Sequence, residues 1–114
     1  MPVLVDTNVI VDVLTDDPRW APWSIARLRG NRDVGLAINP VIYAEICYGC
    51  PSAEFVGDIV KRFHLVYLDI PRQGLYLASK AFSKYRANKG AKTSVLPDFF
   101  IGGHAESTGM SLLT

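Results

Sequence analysis

The chain has only two cysteines, Cys47 and Cys50, too few for a disulfide framework, so a reducing cytoplasm is the expected compartment. No apolar run approaches the ~20 residues that a membrane-spanning helix needs. The opening Met1-Pro2-Val3-Leu4-Val5-Asp6 lacks the basic start of a secretory leader, and an acid soon interrupts its apolar stretch. Internal repeats and low-complexity linkers are missing, which argues against a solenoid or a multidomain string. Strong net charge is missing too. The formal value is +1, but it conceals a division: residues 1–60 hold eight acids and four bases, and residues 61–114 hold three acids and eight bases. An acidic site beside a basic surface suits chemistry on a polyanion.

What is present describes one folded domain over residues 1–114. The 49% hydrophobic and 20% charged content is ordinary for a globular protein and too apolar for disorder. Val3-Leu4-Val5 predicts a buried strand ending at Asp6, with Thr7 or Asn8 capping a helix to about Leu14. Asp17-Pro18 predicts a cap and first position for a second helix that runs to Gly30-Asn31. Val34–Ile38 and Leu65–Leu68 read as strands, and Met110–Leu113 as a fourth. Asn39-Pro40 opens a helix that stops at Gly49 or Cys50, and Ser52 caps another to about Phe63. Pro71 starts a long helix whose Leu75, Ala78, Phe82 and Tyr85 predict one buried face. Leu96-Pro97-Asp98 begins the last helix, to about Gly109. Short apolar strands separated by helices imply an α/β fold, a parallel sheet covered on both faces.

Three acids stand out. Asp6 closes the first strand, and ligands of open parallel sheets bind at that carboxyl edge. An acid there needs a cation, a donor or a proton. Thr7 and Asn8 offer donors, so a strand-end cap also accounts for it. Glu45 lies in a helix among Val41, Ile42, Ala44, Ile46 and Cys47, where a carboxylate is costly unless paired, cation-bound or turned to the solvated rim. Asp98 is in the first turn of a helix, a place that favours acids through the dipole alone. Ile101, Gly102 and Ala105 share its face, and packing that face on the sheet would bring Asp98 to the edge that holds Asp6. Three carboxylates at one edge raise one another's pKa values, and a divalent cation removes that strain. Magnesium prefers oxygen ligands of this kind, and phosphodiester hydrolysis is the chemistry such a centre performs.

Val3-Leu4-Val5-Asp6-Thr7-Asn8-Val9-Ile10, Ala44-Glu45 within a helix, and Leu96-Pro97-Asp98-Phe99-Phe100-Ile101-Gly102 resemble the successive motifs of PIN-domain nucleases, and among them the VapC toxins of toxin–antitoxin pairs. The resemblance spans nearly the whole chain. It implies a three-layer α/β/α domain and a cytoplasmic Mg2+-dependent endoribonuclease, with Mn2+ as an alternative metal. It also implies a homodimer, inhibited by a small VapB-type antitoxin whose tail blocks the acidic site. Carried over by motif, Asp6 and Asp98 become metal ligands and Glu45 a ligand or water-positioning base, with Thr7 and Asn8 behind them. Such proteins carry a fourth acidic or amide residue after the strand that here ends in Leu112-Leu113-Thr114, and then a final strand. The expected domain is therefore C-terminally incomplete, and its site is three-quarters of the full one.

Other features are weighed against this reading. Six bases and no acid lie between Arg72 and Lys92, and Lys84, Arg86 and Lys89 are the candidate RNA contacts. Tyr85 falls on the apolar face of its helix and is read as packing. The Cys47-x-x-Cys50 pair closes a helix, the wrong end to stabilise a thiolate, and reads as structural. His64 and His104 are isolated. Trp20 and Trp23 fit the core or a partner surface equally. Two other classes compete: a catalytically silent PIN-fold module that binds RNA or protein, and a phosphoacceptor receiver domain. The latter would show paired acids after the first strand and a lysine after a late one, neither of which is evident.

Overall fold

The computed structural model describes residues 1–88, 90–92 and 95–114. Four short parallel strands form the centre: β1 (Val3–Val5), β2 (Leu36–Ile38), β3 (Leu65–Tyr67) and β4 (Leu112–Leu113), in the spatial order β3-β2-β1-β4. Val3 and Leu4 pair with Leu36 and Ala37, while Leu4 and Val5 pair with Leu112 and Leu113 on the other side. β1 and β2 are wholly buried, which explains why their sequences read as unbroken apolar runs. Among the described residues, six helices connect and cover the sheet: α1 (Thr7–Leu14), α2 (Ala21–Gly30), α3 (Pro40–Tyr48), α4 (Ala53–Arg62), α5 (Arg72–Ala87) and α6 (Leu96–Thr108). The α/β class and the all-parallel sheet agree with the sequence reading.

The core lies between the sheet and its helices, with Leu4, Val5, Ile10, Ile38, Ile42 and Ile101 among its fully buried members. Successive strands step outward from β1 to β3, and the chain then crosses back to place β4 on the far side of β1. That reversal opens a crevice at the carboxyl ends of β1 and β4, the place where ligands bind in such sheets.

Several boundaries differ from the sequence reading, each for a physical reason. The cap of α1 is Asp6 and not Thr7 or Asn8: its carboxylate accepts from the Thr7 amide at 2.7 Å, and Thr7 is already helical. Asp17 caps a turn, accepting from the amides of Arg19 and Trp20, so α2 begins only at Ala21 with Pro22 in its first turn. The strands are shorter than the apolar runs that announce them. On α5 the buried positions are Gly74 and Ala78, whereas Leu75 is 40% exposed and Phe82 and Tyr85 are half-buried. Small residues win here because α5 and α6 approach closely. A Cβ at Gly103 would run into the Gly74 carbonyl oxygen and Ala78. Trp20 and Trp23 are exposed and meet edge to face, not in the core.

Candidate active site

The sheet's carboxyl edge collects side chains from elements far apart in sequence. Asp6 leaves β1 and turns at once into α1. Its Oδ1 accepts from the Thr7 amide, and its Oδ2 accepts from the Thr114 hydroxyl at 3.0 Å, just beyond β4. Thr7 is buried and serves two acids. Its amide faces Asp6, and its hydroxyl donates to Glu45 Oε1 at 2.6 Å across from α3. Glu45 is half-buried, as a carboxylate in that apolar helix must be if it faces inward, and the threonine hydroxyl is its compensation. Asn8 is exposed and joins none of these bonds.

Asp98 stands in the first turn of α6. Ile101 and Ala105, on the same helix, are buried in the core, and that packing fixes the carboxylate at the edge. Although Asp98 retains solvent access, its carboxyl pKa is raised above 3.8, first by partial burial and then by the negative charge of Asp6. The repulsion puts the two acids in one electrostatic environment. Among the described residues, no three of His, Cys, Asp and Glu are gathered closely enough to hold a metal ion between them. The donors are all oxygen, and a coupled carboxylate pair completed by waters and phosphate oxygens is what magnesium takes. Asp6 and Asp98 fit that requirement, with Glu45 tied back by Thr7.

An open groove of about 720 Å³ runs beside Glu45 and Thr7, walled by Val41, Tyr48, Leu96 and Phe100. Tyr48, three residues after Glu45, is 96% exposed on its rim.

Beneath the edge lies a polar link that the sequence reading missed. Asn39, 0% exposed, caps α3 through Oδ1, which accepts from the Ile42 amide at 2.9 Å. Its amide nitrogen donates to Nδ1 of His104, 1% exposed on α6, at 3.1 Å. Nδ1 is thereby the acceptor, so the buried imidazole is neutral, and burial lowers its pKa below 6.5. The bond joins the helix that carries Glu45 to the helix that carries Asp98. The cap itself was legible from Asn39-Pro40, but nothing in the sequence marks the second end of the amide.

Of the other candidates, Lys84 and Arg86 are exposed at the end of α5, where Arg86 donates to the Ala91 carbonyl at 3.3 Å. Lys89 lies outside the described residues. Tyr85 packs against Phe82 and Phe99, as read. Cys47 and Cys50 are free, half-buried thiols against the core. None of the described helices is long and apolar enough to cross a membrane.

The family model for the PIN domain matches residues 3–114. No curated protein matches significantly. Among solved structures, the chain is similar to VapBC2 from Rickettsia felis bound to a DNA fragment of its promoter. The TM-score is 0.71 at 19% identity, covering 100% of this chain and 87% of the other. It is also similar to DNA-bound VapBC from Salmonella typhimurium, with TM-score 0.71, 21% identity, and 96% and 83% coverage. A toxin–antitoxin complex from Klebsiella pneumoniae gives TM-score 0.66 at 19% identity, over 98% and 84% of the two chains. With acids at the switch point of a parallel sheet and a family match from Val3 to Thr114, the chain belongs to the PIN domain family.

Proposed function

We propose that this chain is a divalent-metal-dependent endoribonuclease of the VapC type, the toxin of a toxin–antitoxin pair. The observation that carries the reading is Thr7, which binds Asp6 with its amide and Glu45 with its hydroxyl, and so locks together acids from two elements at the crevice. Asp6 and Asp98 would hold magnesium or manganese. When bound, that ion supplies Lewis acidity, polarising a phosphodiester and making water more acidic at neutral pH. Asp6 is oriented for this by the Thr7 amide on one oxygen and the Thr114 hydroxyl on the other. Glu45 Oε1 is occupied by the Thr7 hydroxyl, which leaves Oε2 to orient the attacking water and accept its proton. The neighbouring groove has room for a nucleotide next to the scissile bond, or for the tail of a VapB-type antitoxin that excludes RNA. The structural neighbours crystallised with their antitoxins support such a partner. We take the working form to be a homodimer in the cytoplasm.

Cleavage of a structured RNA with added magnesium tests the reading. The chain is expected to cut, chelation to abolish cutting, and Asp6→Asn and Asp98→Asn to reduce it by more than about a hundredfold. The absence of a ready three-acid cluster among the described residues favours one rival, a PIN fold that binds RNA without cutting it. That rival predicts no cleavage by either chain and equal RNA affinity.

A further inference from the structure

A second cavity, of about 330 Å³, opens at the end of the sheet opposite the acidic edge, where α2 and α4 finish and β2 and β3 begin. Arg29 from the last turn of α2, Arg32 from the turn into β2, Arg62 from the last residue of α4, and His64 two residues later all line it. Phe63 and aliphatic side chains from α1, α2 and β2 supply the rest, and no acidic side chain is among the described lining residues.

His64 stands at φ +55°, a left-handed position just past a helix end where glycine is the usual residue. A side chain is kept there against its steric cost. It is also engaged, because the Arg32 guanidinium meets its Nε2. The contact holds the Arg32 guanidinium at the mouth of the cavity. Bases in the last turn of a helix also answer the negative end of its dipole, which accounts for an arginine at 29 and at 62. It does not account for Arg32, which belongs to neither helix and is held by His64, nor for the convergence of all four on one concavity.

We propose that this cavity binds a nucleotide through its terminal phosphate, with the guanidinium groups of Arg29, Arg32 and Arg62 on the phosphate and the base against Phe63 and the aliphatic floor. Planar guanidinium forks match phosphate oxygens, and three of them, exposed to solvent, stand around this one concavity. The apolar floor selects a ligand with a flat, weakly polar part next to its anion, which a bare inorganic anion lacks. The volume is at the lower end for small-molecule sites. The same chemistry is offered by a free mononucleotide and by the phosphorylated end of an RNA strand. The inference does not rest on cleavage, since the site is remote from Asp6, Glu45 and Asp98.

Calorimetric titration of the chain with adenosine 5′-monophosphate, adenosine, and tetraadenylate with and without a 5′-phosphate tests it. A phosphorylated ligand is expected to bind at least tenfold more tightly than its unphosphorylated counterpart. Binding of the mononucleotide identifies the free nucleotide as ligand, and binding of the phosphorylated tetramer alone identifies an RNA end. Arg62→Glu should lose at least tenfold in affinity. His64→Gly separates binding from folding, because it suits the backbone: the melting temperature holds or rises while affinity falls. Failure of every phosphorylated ligand to bind overturns the proposal, as does unchanged affinity in Arg62→Glu and His64→Gly. So does a polyglutamate peptide that binds as tightly as the nucleotide, which would give the cavity to an acidic protein.

Discussion

Asp98 shows what one charged residue at the edge costs the fold. Its folded pKa lies above 3.8, so between 3.8 and that raised value the native state holds more protons than the unfolded chain. Stability then falls as pH rises through this window, and above it the charged carboxylate opposes folding, modestly because Asp98 is solvent-accessible. Asp98→Asn is therefore expected to raise the melting temperature at pH 7 by a small amount, and magnesium to raise that of the unsubstituted chain. The two gains should not add, and additive gains in thermal melts would separate the cation from this carboxylate. In the sequence, Asp6 is marked by its strand end and Glu45 by its apolar helix, whereas Asp98 stands in a first turn that favours acids anyway and is marked only by the small apolar face it shares. Their hydrogen-bond partners were legible only in part. Thr7 was marked as a supporting donor, but the Thr114 hydroxyl on Asp6 comes from 108 residues away, a distance no local pattern encodes.

Between elements, the Asn39–His104 bond carries the argument. Asn39→Ala removes the α3 cap and leaves the buried Nδ1 of His104 without its donor. The expected loss is about 2–4 kcal/mol in urea unfolding, the sum of a cap and an unsatisfied buried group. The pH dependence follows from the lowered pKa of His104. Below 6.5 the unfolded chain takes up a proton that the native state resists, so stability is full above 6.5 and declines as pH falls toward and through the folded value. His104→Gln should flatten that acid limb, and an unchanged limb would assign it to other groups. The α5 face shows why the sequence misleads at this scale. A periodicity count weights large apolar residues such as Leu75, yet the contact with α6 is made through Gly74, Ala78 and Gly103, whose value lies in the bulk they do not have.

Across the whole molecule, the charge division read from composition acquires a geometry. The rings of Phe82 and Tyr85 pack on Phe99, the neighbour of Asp98, so the basic end of α5 sits beside the acidic edge. Lys84 and Arg86 would then flank an RNA backbone whose scissile bond lies at Asp6 and Asp98. Reversing both charges (Lys84→Glu with Arg86→Glu) should weaken RNA binding uniformly across sequences. It should also flatten the slope of log affinity against log salt by about 1–2 units. Unchanged binding and slope would remove these bases from the RNA path.

The strand order has a consequence in time. β1 and β2 are made early and pair across a short stretch of chain, but the far wall of the crevice is β4, which reaches β1 only after a crossover pairing Leu4 with Leu112. Contacts of such long sequence separation form late, and a chain emerging from the ribosome presents its N-terminal elements first. Asp6 thus gains the neighbours that β4 brings only at the end of this order. A nascent chain that has released Asp6, Glu45 and even Asp98 still lacks β4 and the Thr114 hydroxyl that holds Asp6, so on the proposed reading the acids are made well before the last partner that orients them.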